Sequence, residues 1–254
     1  MARAYNVVDA DGHILEPLDL WDNYIDPEFR ERRPRFVIDE NGKERLSVEG
    51  KLLGNPRGIG YHGKKMVSDP MYEPFWAMAE APDFSIGFHE GSTNAMPTVG
   101  VDRFENDRAA RHMISHTMEM MLAALSVIWG GVVDRHPRLR VAFLESGGGW
   151  IAPWLDRMDR HFDDQGFNES APKTRPTELF QRNCWISFEP VEGSIGALAD
   201  YIGPHKILWA TDYPHRDGFF PGAPEMLKER MKGLSAEAKR KIMAGGAMGF
   251  YGLH

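Results

Sequence analysis

Residues 138–150 read Arg138-Leu139-Arg140-Val141-Ala142-Phe143-Leu144-Glu145-Ser146-Gly147-Gly148-Gly149-Trp150. Val141 to Leu144 is an unbroken apolar run of strand length, the pattern of a strand buried on both faces. It stops at Glu145-Ser146, three glycines turn the chain, and a helical pattern runs from Trp150 to about Phe162. A strand that ends in a carboxylate and passes into a helix is one βα unit of a parallel sheet.

Working outward, the same grammar recurs. Toward the C-terminus, a polar loop with Pro172 and Pro176 leads to strand Trp185–Phe188, a helix near Ser194–Ile202 and strand Ile207–Ala210. Helices are expected around Ala223–Lys232 and Ala236–Met243. Toward the N-terminus, a helix spans about Ala109–Val133, closed by His136-Pro137, and strand Phe84–Phe88 precedes it. Pro70–Glu80 reads as a short helix and Gly54–Asp69 as loop. Phe36–Ile38 and Leu46–Leu53, joined through Asn41-Gly42, read as a β-hairpin. Glu16–Arg35 reads as loop with one helical turn, and Tyr5–Asp9 as the first strand. Strands alternating with helices predict a parallel α/β sheet or barrel in a single domain over 1–254.

Composition narrows the function classes. Apolar residues make up 42% and charged residues 26%, the balance of a globular protein with one sizeable core. Net charge is -7 with no basic stripe, which argues against nucleic acid and anionic membranes as partners. No apolar run has the length of a membrane span, and the longest, Met118–Trp129, reads as a buried helix. A single cysteine, Cys184, and an N-terminus without a signal-peptide pattern lead to the expectation of a cytoplasmic protein.

In parallel α/β folds the chemistry sits where strands end. Here those ends carry Asp9-Ala10-Asp11-Gly12-His13, His89-Glu90, Glu145-Ser146, Glu189 and Thr211-Asp212-Tyr213-Pro214-His215. Mixed imidazole and carboxylate donors suit a hard or borderline divalent cation. Asp11 and His13, two apart on an extended segment, point the same way and can grip one ion. Each residue alone also has a plain structural reading: His89 as a hydrogen-bonded histidine, Asp11 as a helix N-cap, Asp212 as an acceptor in the Tyr213-Pro214 turn.

Taken together, Asp9–Pro17, Gly87–Gly91, Arg138–Trp150, Leu208–His215 and the closing Ser235–Leu253 make the sequence resemble the amidohydrolase-related family, which includes the metal-dependent decarboxylases of the amidohydrolase superfamily. The resemblance implies a TIM-barrel-like (β/α)8 fold. It implies one divalent metal ion, with zinc the first choice and manganese or iron the alternatives, held by Asp11, His13, His89 and Asp212. Asp212 would also shuttle protons, with Glu145 and His215 as further catalytic candidates. Glu145-Ser146 stands where relatives often carry a sixth-strand histidine.

The count of units departs from the family. Asp11 and Phe84 have 72 residues between them, much of it hairpin. Three strand–helix units need roughly 30 residues each. Units 2–4 are therefore expected to be absent, with an insertion at about 30–60, a junction near Gly60-Tyr61 and about five units remaining. An opened barrel exposes sheet edges, from which a homo-oligomer is expected.

The reaction expected first is hydrolysis of an amide or ester of a small organic substrate by metal-activated water. The alternatives are non-oxidative decarboxylation of an aromatic or unsaturated carboxylic acid, and an inactive truncated relative. His116, Glu16 and Glu90 are candidates for a supporting role. His112, His136, His161, His205 and His254 are expected on solvated or capping positions. Ser146 lacks the nucleophile elbow, and the Gly147–Gly149 turn before a helix offers a phosphate cradle without the lysine of a P-loop.

Overall fold

The structure, a computed structural model, describes residues 6–12, 20–40, 42, 44–52, 66–89, 99–100, 103–104, 106–164 and 169–253. His13, Glu16, Glu90, His254 and the expected junction near Gly60-Tyr61 lie outside the described residues.

After the short helix α1 (Leu20–Asn23) and a 3-10 turn (Pro27–Arg32), a small antiparallel sheet forms from β1 (Arg35–Ile38), β2 (Glu44–Val48) and β3 (Lys51–Leu52). The expected hairpin is therefore present, extended by a third strand. A second, four-stranded sheet is parallel throughout: β4 (Ser85–Phe88), β5 (Arg140–Phe143), β6 (Cys184–Phe188) and β7 (Ile207–Trp209), in that spatial order. The helices are α2 (Glu73–Glu80), α3 (Arg108–Ala124), α4 (Val132–Arg135), α5 (Ile151–Asp163), α6 (Pro176–Asn183), α7 (Ile195–Ile202), α8 (Ala223–Arg230), α9 (Ala236–Arg240) and α10 (Gly246–Tyr251). This is a mixed α/β fold with four of the expected five parallel strands in the ladder.

The expected first strand is an extended segment rather than a ladder strand. It runs beside β7, with Ala10 N–H donating to the Trp209 carbonyl (3.1 Å) and Val8 N–H to that of Met243 (2.9 Å). Helix α6 replaces part of the expected loop, because Pro176 sits in its first turn, where a missing N–H costs nothing. Two π-helical turns, Leu125–Trp129 and Lys241–Gly245, interrupt helices read from sequence as regular.

The alternation of strand side chains divides the core. Val141, Phe143, Ile186, Phe188, Ile207 and Trp209 join a large cluster with the helices. Ala142, Leu144, Trp185 and Leu208 form a smaller one with Ala10, Ala247 and Phe250. In a closed barrel facing strands fill that interior; here α10 supplies Phe250, 1% exposed, in their place. The helical run Arg108–Arg135 is long and apolar enough by length and composition to cross a membrane, which the sequence reading did not anticipate. Ala124, Val127, Ile128, Val132 and Val133 from it are fully buried in the core of this fold.

Candidate metal centre

The C-terminal ends of the parallel strands deliver their polar residues to one place. Glu145 leaves β5 and Asp212 follows β7, and both adopt left-handed backbone conformations, with φ of 48° and 54°. Non-glycine residues hold such angles at a cost of about 1–3 kcal/mol each, and only where the surroundings over-determine them. At Asp212 the surroundings are visible. Its N–H donates to the Asp11 carbonyl (3.3 Å), and Tyr213 N–H donates to the Thr211 hydroxyl (3.2 Å).

Glu145 is the hub. Its Oε2 lies 3.0 Å from His89 Nε2, which is also 3.2 Å from Asp11 Oδ2. Its Oε1 faces His215 Nδ1 (3.7 Å) and His116 Nε2 (3.8 Å). His215 Nδ1 also meets Asp212 Oδ1 at 2.9 Å. Donor atoms of Glu145, Asp212 and His215 all lie within 4.8 Å of one another. Of the residues read from sequence, the structure thus brings together Asp11, His89, Glu145, Asp212 and His215.

These contacts open onto a cavity of about 560 Å³. Asp11, Glu145, Glu189, Glu192, Asp212 and Asp217 line it, with Met113, Phe188 and Phe219 as apolar wall. Two imidazoles, His112 and His116, are the cationic candidates among its described lining residues, which include no Lys or Arg. Hydrogen bonds to Asp11 and Glu145 push the His89 pKa up to about 11, so this position favours positive charge. Burial, followed by the charge of Glu192, raises the Glu189 carboxyl above its ordinary range.

The donor set fits a divalent cation. With ligand bonds of about 2.0–2.2 Å, neighbouring donors of one ion stand roughly 3 Å apart, the spacing seen around His89. Six carboxylates in one concave wall concentrate negative potential where such an ion would rest.

Several supporting residues escaped the sequence reading. The Asp9 carboxylate accepts Thr211 N–H (3.1 Å), the Thr211 hydroxyl and Asp11 N–H (3.2 Å), tying the N-terminal segment to the loop that carries Asp212. Tyr251 adds a hydroxyl bond to the Ala10 carbonyl (2.7 Å). The Glu192 carboxylate accepts the amides of Gly148 (3.0 Å), Gly149 (3.1 Å) and Glu189 (2.8 Å). The glycine turn weighed as a phosphate cradle is therefore filled by the protein's own carboxylate, which burial nevertheless raises in pKa. Asp9 was visible as the residue two before Asp11, on the same side of an extended chain; Glu192 lies beyond its strand and carried no signal.

One histidine expectation is corrected, that for His136, while His112 is exposed as expected and also borders the cavity. His112 lines the cavity, its ring 4.3 Å from that of His116 and its Nε2 3.3 Å from Asp217 Oδ2. His136 is buried between Glu73 (2.8 Å) and Glu80 (3.3 Å), because its ring clamps α2 to the start of β5. The Ser146 hydroxyl donates to the Gly147 carbonyl (3.2 Å) and its own carbonyl accepts Thr117, a structural role.

The model of an amidohydrolase family matches residues 57–253. A curated relative, the 2-amino-3-carboxymuconate-6-semialdehyde decarboxylase of Dictyostelium discoideum, is 27% identical over 82% of this chain and 56% of its own length. The chain thus spans little more than half of that relative. An amidohydrolase structure from Mycobacterium avium subsp. paratuberculosis aligns at a TM-score of 0.74 with 15% identity, covering 98% of this chain and 100% of that one. The 5-carboxyvanillate decarboxylase of Sphingomonas paucimobilis aligns at 0.57 with 26% identity, covering 81% and 60%.

Proposed function

The chain belongs to the amidohydrolase family, and from that footing we propose that it is a metal-dependent decarboxylase of a small aromatic or unsaturated carboxylic acid. The observation that carries this reading is the convergence of Asp11, His89, Glu145, Asp212 and His215, of which Asp11, Glu145 and Asp212 line one cavity. Decarboxylation is favoured over hydrolysis because the curated relative and the structure matched at 26% identity are both named as decarboxylases.

Asp11, His89 and Asp212 would hold the ion, with Glu145 beside them. Such an ion supplies Lewis acidity and anchors the substrate carboxylate. The chain's residues do the rest. Met113, Phe188 and Phe219 offer an apolar wall to a planar substrate and exclude water from it. Loss of CO₂ leaves an electron pair on carbon, and that carbon takes one proton in exchange. Asp212 would deliver it, and His215, 41% exposed at its side chain and 2.9 Å from Asp212, would connect Asp212 to bulk water for reloading.

The test pairs elemental analysis of the purified protein with CO₂ release from a panel of aromatic and unsaturated acids, 5-carboxyvanillate included, after loading with manganese or zinc. About one equivalent of metal and turnover that Asp212→Asn abolishes is the expected result. Turnover of amides or esters without CO₂ release would restore the hydrolytic reading; metal uptake without any turnover would support the inactive relative.

A further inference from the structure

Strand β4 stands at the end of the parallel sheet and, among the described residues, pairs on one side only. Phe88 directs its carbonyl to β5, where Leu144 N–H meets it at 2.9 Å. By the period of two, the backbone groups of Ser85 and Gly87 face the other way, toward the open edge. An edge of this kind is a template for another strand.

The surface beside that edge is apolar. Met71, Phe75 and Met78 are spaced as i, i+4, i+7 along α2 and the turn before it, and are 59%, 47% and 65% exposed. Phe84, at the mouth of β4, is 61% exposed. Pro74, Ala77, Ala81 and Pro82 fill the gaps and are exposed as well. The opposite side of α2 carries the charges: Glu73 and Glu80 are engaged with His136, Arg135 and Arg138. Asp83 is held by Arg140.

We propose that the β4 edge and the exposed face of α2 form a two-fold interface with a second copy of this chain. Three arguments select that occupant. An isologous contact sets a surface against itself, so it must be self-complementary; a face whose protruding side chains carry no charge meets that condition, whereas a charged one repels its copy. Second, the four large side chains together expose about 400–500 Å² of apolar surface, taking roughly 200 Å² for each when fully free. That is about half of the ~800 Å² that each partner buries in a standard interface. Third, β4 offers only four residues, so main-chain pairing alone would be weak and the α2 stripe supplies most of the burial. About a two-fold axis the two β4 strands run antiparallel, which joins two four-stranded sheets into one.

Light scattering on eluted peaks and sedimentation equilibrium across 1–100 µM test this. The wild-type chain should be dimeric in the upper part of that range. Met78→Glu and Phe84→Glu should each raise the dimer dissociation constant at least 100-fold while far-UV circular dichroism is unchanged. Should either glutamate unfold the chain, Met78→Gln with Phe84→Gln reads the same shift more gently. Leu122→Glu, on the outward side of α3, is the control and should leave the dimer intact. A monomeric wild type at 100 µM overturns the proposal. So does a dimer that survives the patch substitutions, or one that Leu122→Glu dissociates equally.

Discussion

Asp9 shows what one side chain does for the site. It touches neither the cavity nor the proposed ion, yet it ties the peptide that carries Asp11 to the loop that carries Asp212. Asp9→Ala strands two N–H groups and a hydroxyl at a half-exposed position, a loss of about 1–2 kcal/mol. Positioning groups behind metal ligands typically affect affinity by roughly 10–100-fold. Asp9→Ala should therefore weaken manganese binding within that range, as measured by isothermal titration, beyond what its stability loss in urea accounts for. Unchanged affinity in the folded variant would reduce Asp9 to a structural staple. At this scale Asp11, His89, Glu145 and Asp212 were legible from sequence because each lies within a few residues of the end of an apolar run. The roles of Asp9, whose position at a strand end was visible, and of Glu192 were not, because their partners, Thr211 and several backbone amides, are set by the tertiary path.

At the scale of elements, the glycine turn after β5 is the sharpest constraint. A Cβ on Gly148 would lie 2.2 Å from the Phe188 ring, and Phe188 is itself only 1% exposed. Overpacking of that kind costs about 1–3 kcal/mol or more. Gly148→Ala should lower the thermal midpoint by roughly 5–10 °C, whereas Gly193→Ala, which meets nothing within 4 Å, should be neutral or slightly stabilising. Differential scanning calorimetry of the two separates them, and equal midpoints would remove Phe188 as the constraint. The parallel strands were readable from their unbroken apolar runs. Helix α6 was not, since Pro172 and Pro176 signal a loop unless the proline is known to sit in a first turn. The π-turns escaped because an inserted helical residue leaves the apolar spacing nearly intact.

For the molecule as a whole, the fold family was legible from the order of its strand-end motifs. How the inner face of the parallel sheet is filled was not, because it depends on Phe250 and Ala247 arriving from the far end of the chain. One buried charge sets a global pH response. Burial pushes the Lys206 ammonium down to about 8, although its Nζ lies 3.7 Å from the centre of the Trp185 ring, which returns part of the loss. The folded pKa is below the unfolded value near 10.5, so between those two the unfolded chain holds a proton that the folded chain has released. That contribution to stability is unfavourable at neutral pH and is recovered as pH rises from about 8 to about 10.5. Lys206→Met should stabilise the chain by about 1–2 kcal/mol at pH 7, and its advantage should shrink across that window in denaturant titrations. An advantage independent of pH would mean that packing, not charge, sets the difference.

The bond between Asp9 and Thr211 spans 202 positions in sequence. A ribosome adds roughly 5–20 residues per second, so the N-terminal strap is made many seconds before its counterpart emerges. Through that interval β4, β5 and β6 can associate, but Asp11 has no loop to dock on and the interior face waits for α10. The centre is thus the last part of the molecule to be assembled during synthesis. A nascent chain stalled before Thr211 would carry a largely formed sheet with no competence to retain an ion.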